Sequence, residues 1–239
     1  MKASSTHSHA REDGRGDSSA RALRCEREVI SRADGSAQWE QGGTKVLAAV
    51  YGPVSTAAWK EDPEKAIIEV TFKLASNPAG TEQDRQHEYI IQQAFIGVIQ
   101  AAMHPRTAIS IIVQVLENDG SLLACALNAA SAALTEAAVP MTSIIVAAAV
   151  AQDQEGPLLV DPTRAEEAAA LATGTYAFTA RAETPGAEQL TVAEGCLTAM
   201  ARGPVSAEGF LQMLSLAHKA SSRVAGFSKL SLTRAHDFL

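Results

Sequence analysis

The stretch spanning residues 123–138 limits the folds open to this chain more than any other. Alanine dominates it, and Glu136 is its one charged side chain. A helical run of small apolar residues is most simply a close-packed core helix, because small side chains let neighbouring elements approach closely. An apolar, β-like run (108–116) precedes it. A β-branched run (142–151) follows it, past the break at Val139-Pro140. A helix set between strands in this way predicts an α+β fold, with mixed or antiparallel sheets packed around central helices.

The remaining elements fit that class. Asp34-Gly35 is a hairpin signal between strands at 27–32 and 36–40. Gln41-Gly42-Gly43 is a second turn, leading into a buried strand at 44–51 that ends at Gly52-Pro53. Residues 66–74 alternate as a strand, and 75–82 read as a loop. Apolar residues recur at helical spacing from about 84 to 103, where His104-Pro105 stops the helix. Further strands are expected at 107–116, 142–151, 158–161, 175–182 and 188–194. Helices are expected at 121–138, at 162–173 and at 206–223, the last with Ser206 as N-cap. Residues 24–225 form one unit without a linker. Residues 1–23 read as a disordered polar tail rather than a signal peptide, and 226–239 as a C-terminal tail.

Composition narrows the function classes. With 239 residues the chain can bury a sizeable core, and 46% hydrophobic with 20% charged residues is ordinary for a soluble globular protein. A net charge of −7 argues against independent, tight nucleic-acid binding, while leaving room for a local basic strip or for RNA binding within an assembly. Cys25, Cys125 and Cys196 show no metal-ligand spacing and read as free thiols in a reducing compartment. The apolar stretch of residues 123–151 is interrupted by Glu136, Pro140 and several Ser/Thr residues, so a membrane span is rejected.

The turn Asn118-Asp119-Gly120-Ser121 opens the alanine-rich helix. Backbone N–H groups at a helix start form a small anion seat, most often for phosphate. Leu122 follows where a cation would complete such a site, so the geometry is expected without its charge. Ser121 is either a phosphate ligand or a plain N-cap. Asp161, Glu166 and Glu167 are either Mg²⁺ ligands that activate water or acidic residues favoured by a helix dipole. Lys73, Arg85 and His87 form a basic strip along an RNA path or are scattered surface charges. Arg106 either faces RNA or ties down a carbonyl. Trp39 and Trp59 are expected to pack against sheet or subunit surface rather than stack bases.

Several segments together resemble the RNase PH family: Asp34-Gly35-Ser36-Ala37, Gln41-Gly42-Gly43-Thr44-Lys45-Val46-Leu47-Ala48, Tyr51-Gly52-Pro53, His104-Pro105-Arg106 and Asn118-Asp119-Gly120-Ser121. The similarity covers roughly residues 24–225 and extends to the RNase PH-like subunits of the eukaryotic exosome. The resemblance implies an RNase PH-like fold and a six-member ring of such domains with RNA threaded through it. It also implies 3′-to-5′ RNA processing and degradation in nucleus, nucleolus and cytoplasm. Family phosphorolysis holds inorganic phosphate by Arg and backbone N–H groups, with a metal on acidic residues. By position, the phosphate turn maps to Gly120, Ser121 and Leu122, and a helix Arg maps to the neutral Gln92. The metal pair maps to Glu167 and Thr173, with Asp161 also matching.

Losing single preorganised charges costs on the order of 10²–10³ in rate each. The resemblance therefore implies a non-catalytic or weakly active ring subunit needing no cofactor. The alternative is a residual nuclease, phosphate-dependent on RNA or Mg²⁺-dependent on RNA or DNA. Uncovered ring faces lead to a further expectation, that the isolated chain forms a homodimer.

Overall fold

The computed structural model describes residues 11, 13–57, 59–75, 80–154, 157–183 and 189–236. Four strands come first: β1 (Leu23–Arg27), β2 (Gly35–Gln41), β3 (Thr44–Ser55) and β4 (Ile67–Leu74). Helix α1 (Glu82–Ile96), a 3-10 turn (Ala101–Met103), β5 (Thr107–Glu117) and helix α2 (Leu122–Glu136) follow. The second half holds β6 (Ile144–Gln152), β7 (Leu158–Val160), α3 (Arg164–Ala169), β8 (Ala172–Arg181), β9 (Thr191–Arg202) and α4 (Ala207–His236). One sheet has the order β1-β2-β3-β5-β4 and is antiparallel except for the β4–β5 pair. The other, β7-β6-β8-β9, is antiparallel throughout. Mixed and antiparallel sheets around central helices are thus the architecture found.

Every residue of α2 from Leu123 to Leu134 is buried, and the helix packs on β2 and β3 of one sheet and on β6 of the other. Its two buried polar side chains complete a strand edge. β7 pairs with β6 only at residues 150–152, so the N–H and C=O groups further along that edge need other partners. Ser131 Oγ accepts from Ile145 N at 3.0 Å. Asn128 accepts from Ala147 N at 2.8 Å and donates to Ala147 O at 3.0 Å. Asp161 N donates to Ala149 O at 2.9 Å. Alternate residues 145, 147 and 149 face the same edge, so a helix and a turn stand in for the missing strand.

Several boundaries differ from the sequence reading for local reasons. β1 lies earlier than residues 27–32, because Glu28 adopts a left-handed φ of +54° and the chain turns away there. A capping box between Thr81 and Asp84 starts α1, and the chain leaves the helix at Gly97, well before His104. The helix expected at 162–173 is confined to Arg164–Ala169, and β8 takes up Ala172 and Thr173. Two corrections concern the expected tails. Helix α4 continues to His236, because Phe227 packs edge-on against the buried Trp39 at 5.3 Å. Residues 1–10 and 12 lie outside the described residues, but Arg11 and the segment from Asp13 to Arg21 are anchored: Arg11 and Arg21 are each 6% exposed. Trp59, in contrast with Trp39, is 85% exposed and packs on no part of the described chain's core. No helix among the described residues is long and apolar enough to cross a membrane.

Candidate functional site

Helix starts and strand ends converge on a cavity of about 220 Å³. α1 presents Gln83 and His87, one helical turn apart, and the start of α2 presents Leu122. α3 supplies Arg164 and Glu167, β8 supplies Thr173, and β9 ends at Arg202. Burial pushes the Glu167 carboxyl above its ordinary value, against the opposing pull of the Ser121 N–H and of the Arg21 and Arg202 charges. Burial, together with the Arg202 charge, holds His87 below its ordinary value, so the ring is neutral at pH 7. Two guanidinium groups therefore face one carboxylate, and the cavity carries a positive excess suited to an anion such as phosphate.

The expected exchange of charge for aliphatic carbon is real at Leu122, but cations reach the cavity from elsewhere. Arg164 follows the N-cap Thr163, whose capping box with Glu166 points the first turn of α3 at the cavity. Arg202 stands at the strand end just before Gly203. Gln92, mapped to a phosphate Arg, does not line the cavity; its amide donates to Ile68 O at 2.7 Å. Residues 83 and 87, not 92, are the positions of α1 that face inward. Ser121 is buried and has both donors engaged within the chain. Its N–H donates to Glu167 Oε1 at 2.7 Å and its hydroxyl to Pro162 O at 3.0 Å. It occupies the N-cap position of α2 in a left-handed conformation, without a side-chain cap bond. The anion seat thus holds a carboxylate of the same chain.

The acidic residues are separated in role. Asp161 forms a buried pair with Arg21, whose Nη2 lies 2.7 Å from Oδ1 and whose Nε lies 3.0 Å from Oδ2. Burial alone would raise the Asp161 carboxyl, but the hydrogen bonds and charge of Arg21 hold it below its ordinary value. Glu166 closes the α3 capping box and pairs with Arg11 at 2.9 Å. Glu167 alone of the three lines the cavity. A divalent cation needs several oxygen ligands converging on one point. These residues do not fit one, since two carboxylates are turned to arginines and no group of three or more His, Cys, Asp or Glu among the described residues could hold a metal.

The other nucleic-acid candidates are dispersed. His87 lines the cavity with its ring edge-on to Phe72 at 5.1 Å. Lys73 is exposed on β4, and Arg85 is exposed on α1 beside Glu82 at 3.9 Å. Arg106 is exposed at φ +60°, and its backbone N–H donates to Asp62 O at 2.9 Å. Gln83, Arg164 and Arg202 line the cavity and were missed by sequence reading. Arg11, Arg15 and Arg21 lie outside it and tie the first described segment to residues 160–161; an Asp-Gly turn flanked by Arg11 and Arg15 was their signal, inside a segment whose polarity reads as a tail.

The Glu167 shift carries a testable sign. A carboxyl raised above its ordinary 4.5 contributes stability that is full below that value and is lost as pH rises through the folded value. Glutamine keeps an acceptor for Ser121 N–H without the buried charge. Glu167→Gln is therefore expected to melt at or slightly above the wild-type temperature at pH 7, and a melting temperature lowered by ~5 °C or more would contradict this account.

Residues 19–140 match the model of the RNase PH family, described as the 3′ exoribonuclease family, domain 1. The chain belongs to this family. It is 34% identical to the "Exosome complex exonuclease RRP46 homolog" of Oryza sativa subsp. japonica, over 94% of this chain and 96% of that one. Identity to the protein of the same name in Arabidopsis thaliana is 35%, over 91% and 93% of the two chains. The crystal structure of rice Rrp46 superposes with a TM-score of 0.84 over 93% of this chain and 100% of that one, at 34% identity. An Archaeoglobus fulgidus exosome with RNA bound to the active site shares the fold, with a TM-score of 0.74 at 19% identity over 90% of this chain and 91% of that one.

Proposed function

We propose that this chain is an RNase PH-like subunit of the RNA exosome ring, helping to assemble the ring and contacting RNA during 3′-to-5′ processing and degradation. The similarity, over 94% of this chain, to the rice relative named as an exosome complex exonuclease homolog carries this reading. The cavity supports it: Arg164 and Arg202 are suited to hold an RNA phosphodiester. The compartments that follow are nucleus, nucleolus and cytoplasm. Mixing the chain with the other ring subunits should give one stable particle by size exclusion. Elution of this chain apart from an otherwise complete ring would end the proposal.

A second reading, phosphate-dependent RNA degradation, is favoured by the same two arginines. They supply from new positions the charge missing at Leu122, and Glu167 and neutral His87 stand beside them as groups able to exchange protons. Labelled single-stranded RNA should be incubated with and without inorganic phosphate, and with and without Mg²⁺. Release of nucleoside diphosphates only in phosphate, abolished in Arg202→Met, is the outcome this reading requires; intact RNA in every lane supports the non-catalytic one.

In isolation the chain is expected to self-associate. Leu230 is 60% exposed beside the groove between β1 and α4, and Tyr89 is 63% exposed on α1. Such faces favour a partner in water. Light scattering at micromolar concentration should give twice the 25.0 kDa of one chain, and a clean monomer would refute it.

A further inference from the structure

We propose that Arg21 is a positioning residue for the cavity: from a segment that lines no part of it, Arg21 staples together the two turns that carry its rim. The proposal rests on the reading of the cavity as an RNA contact. The first turn, Asp119-Gly120-Ser121, leads to Leu122; the second, Asp161-Pro162-Thr163, leads to Arg164 and Glu167. Arg21 reaches both. Its Nη1 donates to Asp119 O at 2.7 Å and its Nη2 to Gly120 O at 3.3 Å. On the other side it grips both carboxylate oxygens of Asp161, its backbone N–H donates to Oδ2 at 2.8 Å, and Nη2 reaches Pro162 O at 3.4 Å.

Both turns need holding. Ser121 and Asp161 sit at φ +53° and +52°, left-handed conformations that non-glycine residues keep only where surroundings over-determine them. The turns touch closely enough that a Cβ on Gly120 would lie 2.5 Å from Pro162 O, so a shift of either moves the other. Gly42 leaves the room for the staple, since a Cβ there would lie 2.2 Å from Arg21 Cδ. A planar guanidinium can satisfy a carboxylate and several carbonyls at once, whereas an ammonium cannot span the same set. Arg27 serves as the internal contrast. Its side chain is nearly as inaccessible, but it pairs with Glu136 at 3.2 Å, at the opposite end of α2 from Leu122, and it lines no part of the cavity.

The test measures binding of a short labelled oligoadenylate, at a temperature where circular dichroism shows every variant folded. Arg21→Lys is expected to bind about tenfold more weakly, while Arg27→Met, with a comparable loss of melting temperature, binds within twofold of wild type. Arg21→Lys binding within twofold of wild type, or both variants weakening in proportion to their lost stability, would overturn the positioning role. Arg202→Met separates this from the underlying reading: unchanged binding there removes the cavity as the RNA contact, whatever Arg21 does. Native-state hydrogen exchange on the wild type covers the case of an unfolded variant. Amides of 119–123 and 161–167 should open as one unit with 19–21, and independent opening of that segment counts against the staple.

Discussion

Asn128→Leu is expected to lower the unfolding free energy by about 3 kcal/mol, because it strands the N–H and C=O of Ala147 without partners in the buried middle of β6. Neither water nor β7 can reach them, since β7 ends its pairing at residue 150. For a chain of this length the melting temperature should fall by ~10 °C. Ser131→Ala removes one acceptor, from Ile145 N, and should cost about 1 kcal/mol. Equilibrium urea unfolding checks both; equal midpoints for Asn128→Leu and wild type would show that β6 finds other partners at its edge.

Asp161→Asn is expected to cost about 3 kcal/mol at pH 7, the low end of the range for breaking a buried ion pair, because Asp119 Oδ2 stays 3.4 Å from Arg21 Nη1. The side chains of Arg21 and Asp161 are nearly inaccessible, at 6% and 2%, so solvent does little to screen the guanidinium once its buried partner is gone. The pH dependence follows from the direction of the shift. Asp161 is held below its ordinary 3.8, so its contribution is complete well above that pH and is lost as pH falls from there through the lower folded value. The stability gap between wild type and Asp161→Asn should therefore be widest near neutrality and shrink in acid. Urea midpoints measured across that range test this, and a gap that does not narrow with acidity would assign the loss to something other than the ion pair.

Much of the architecture was legible because it depends on local pattern. The alanine-rich run could pack only as a central helix, and the Gly42-Gly43 turn and alternating 66–74 segment declare their strands. The site was less legible because its parts are assembled by contacts that span the chain. Leu122 announces the missing cation, but nothing near it in sequence announces Arg164 or Arg202, which arrive through α3 and the end of β9. Polarity alone marked residues 11–21 as part of a tail, although Arg11 and Arg21 are buried by pairing with Glu166 and Asp161, carboxylates that were themselves read as metal ligands. An arginine and a carboxylate each look available until the fold brings them together.

The distance along the chain between these partners has a consequence for how the protein is made. Arg21 and Asp161 are separated by 140 positions, and Arg11 and its acceptor Val160 by 149. During vectorial synthesis the arginines emerge first and remain hydrated until β7 and the turn after it have left the ribosome. Order of birth and order of locking are therefore opposed at this corner: the segment that carries Arg11 and Arg21 is translated well before the groups that immobilise it, and a nascent chain halted before residue 161 carries Arg21 without the Asp161 carboxylate.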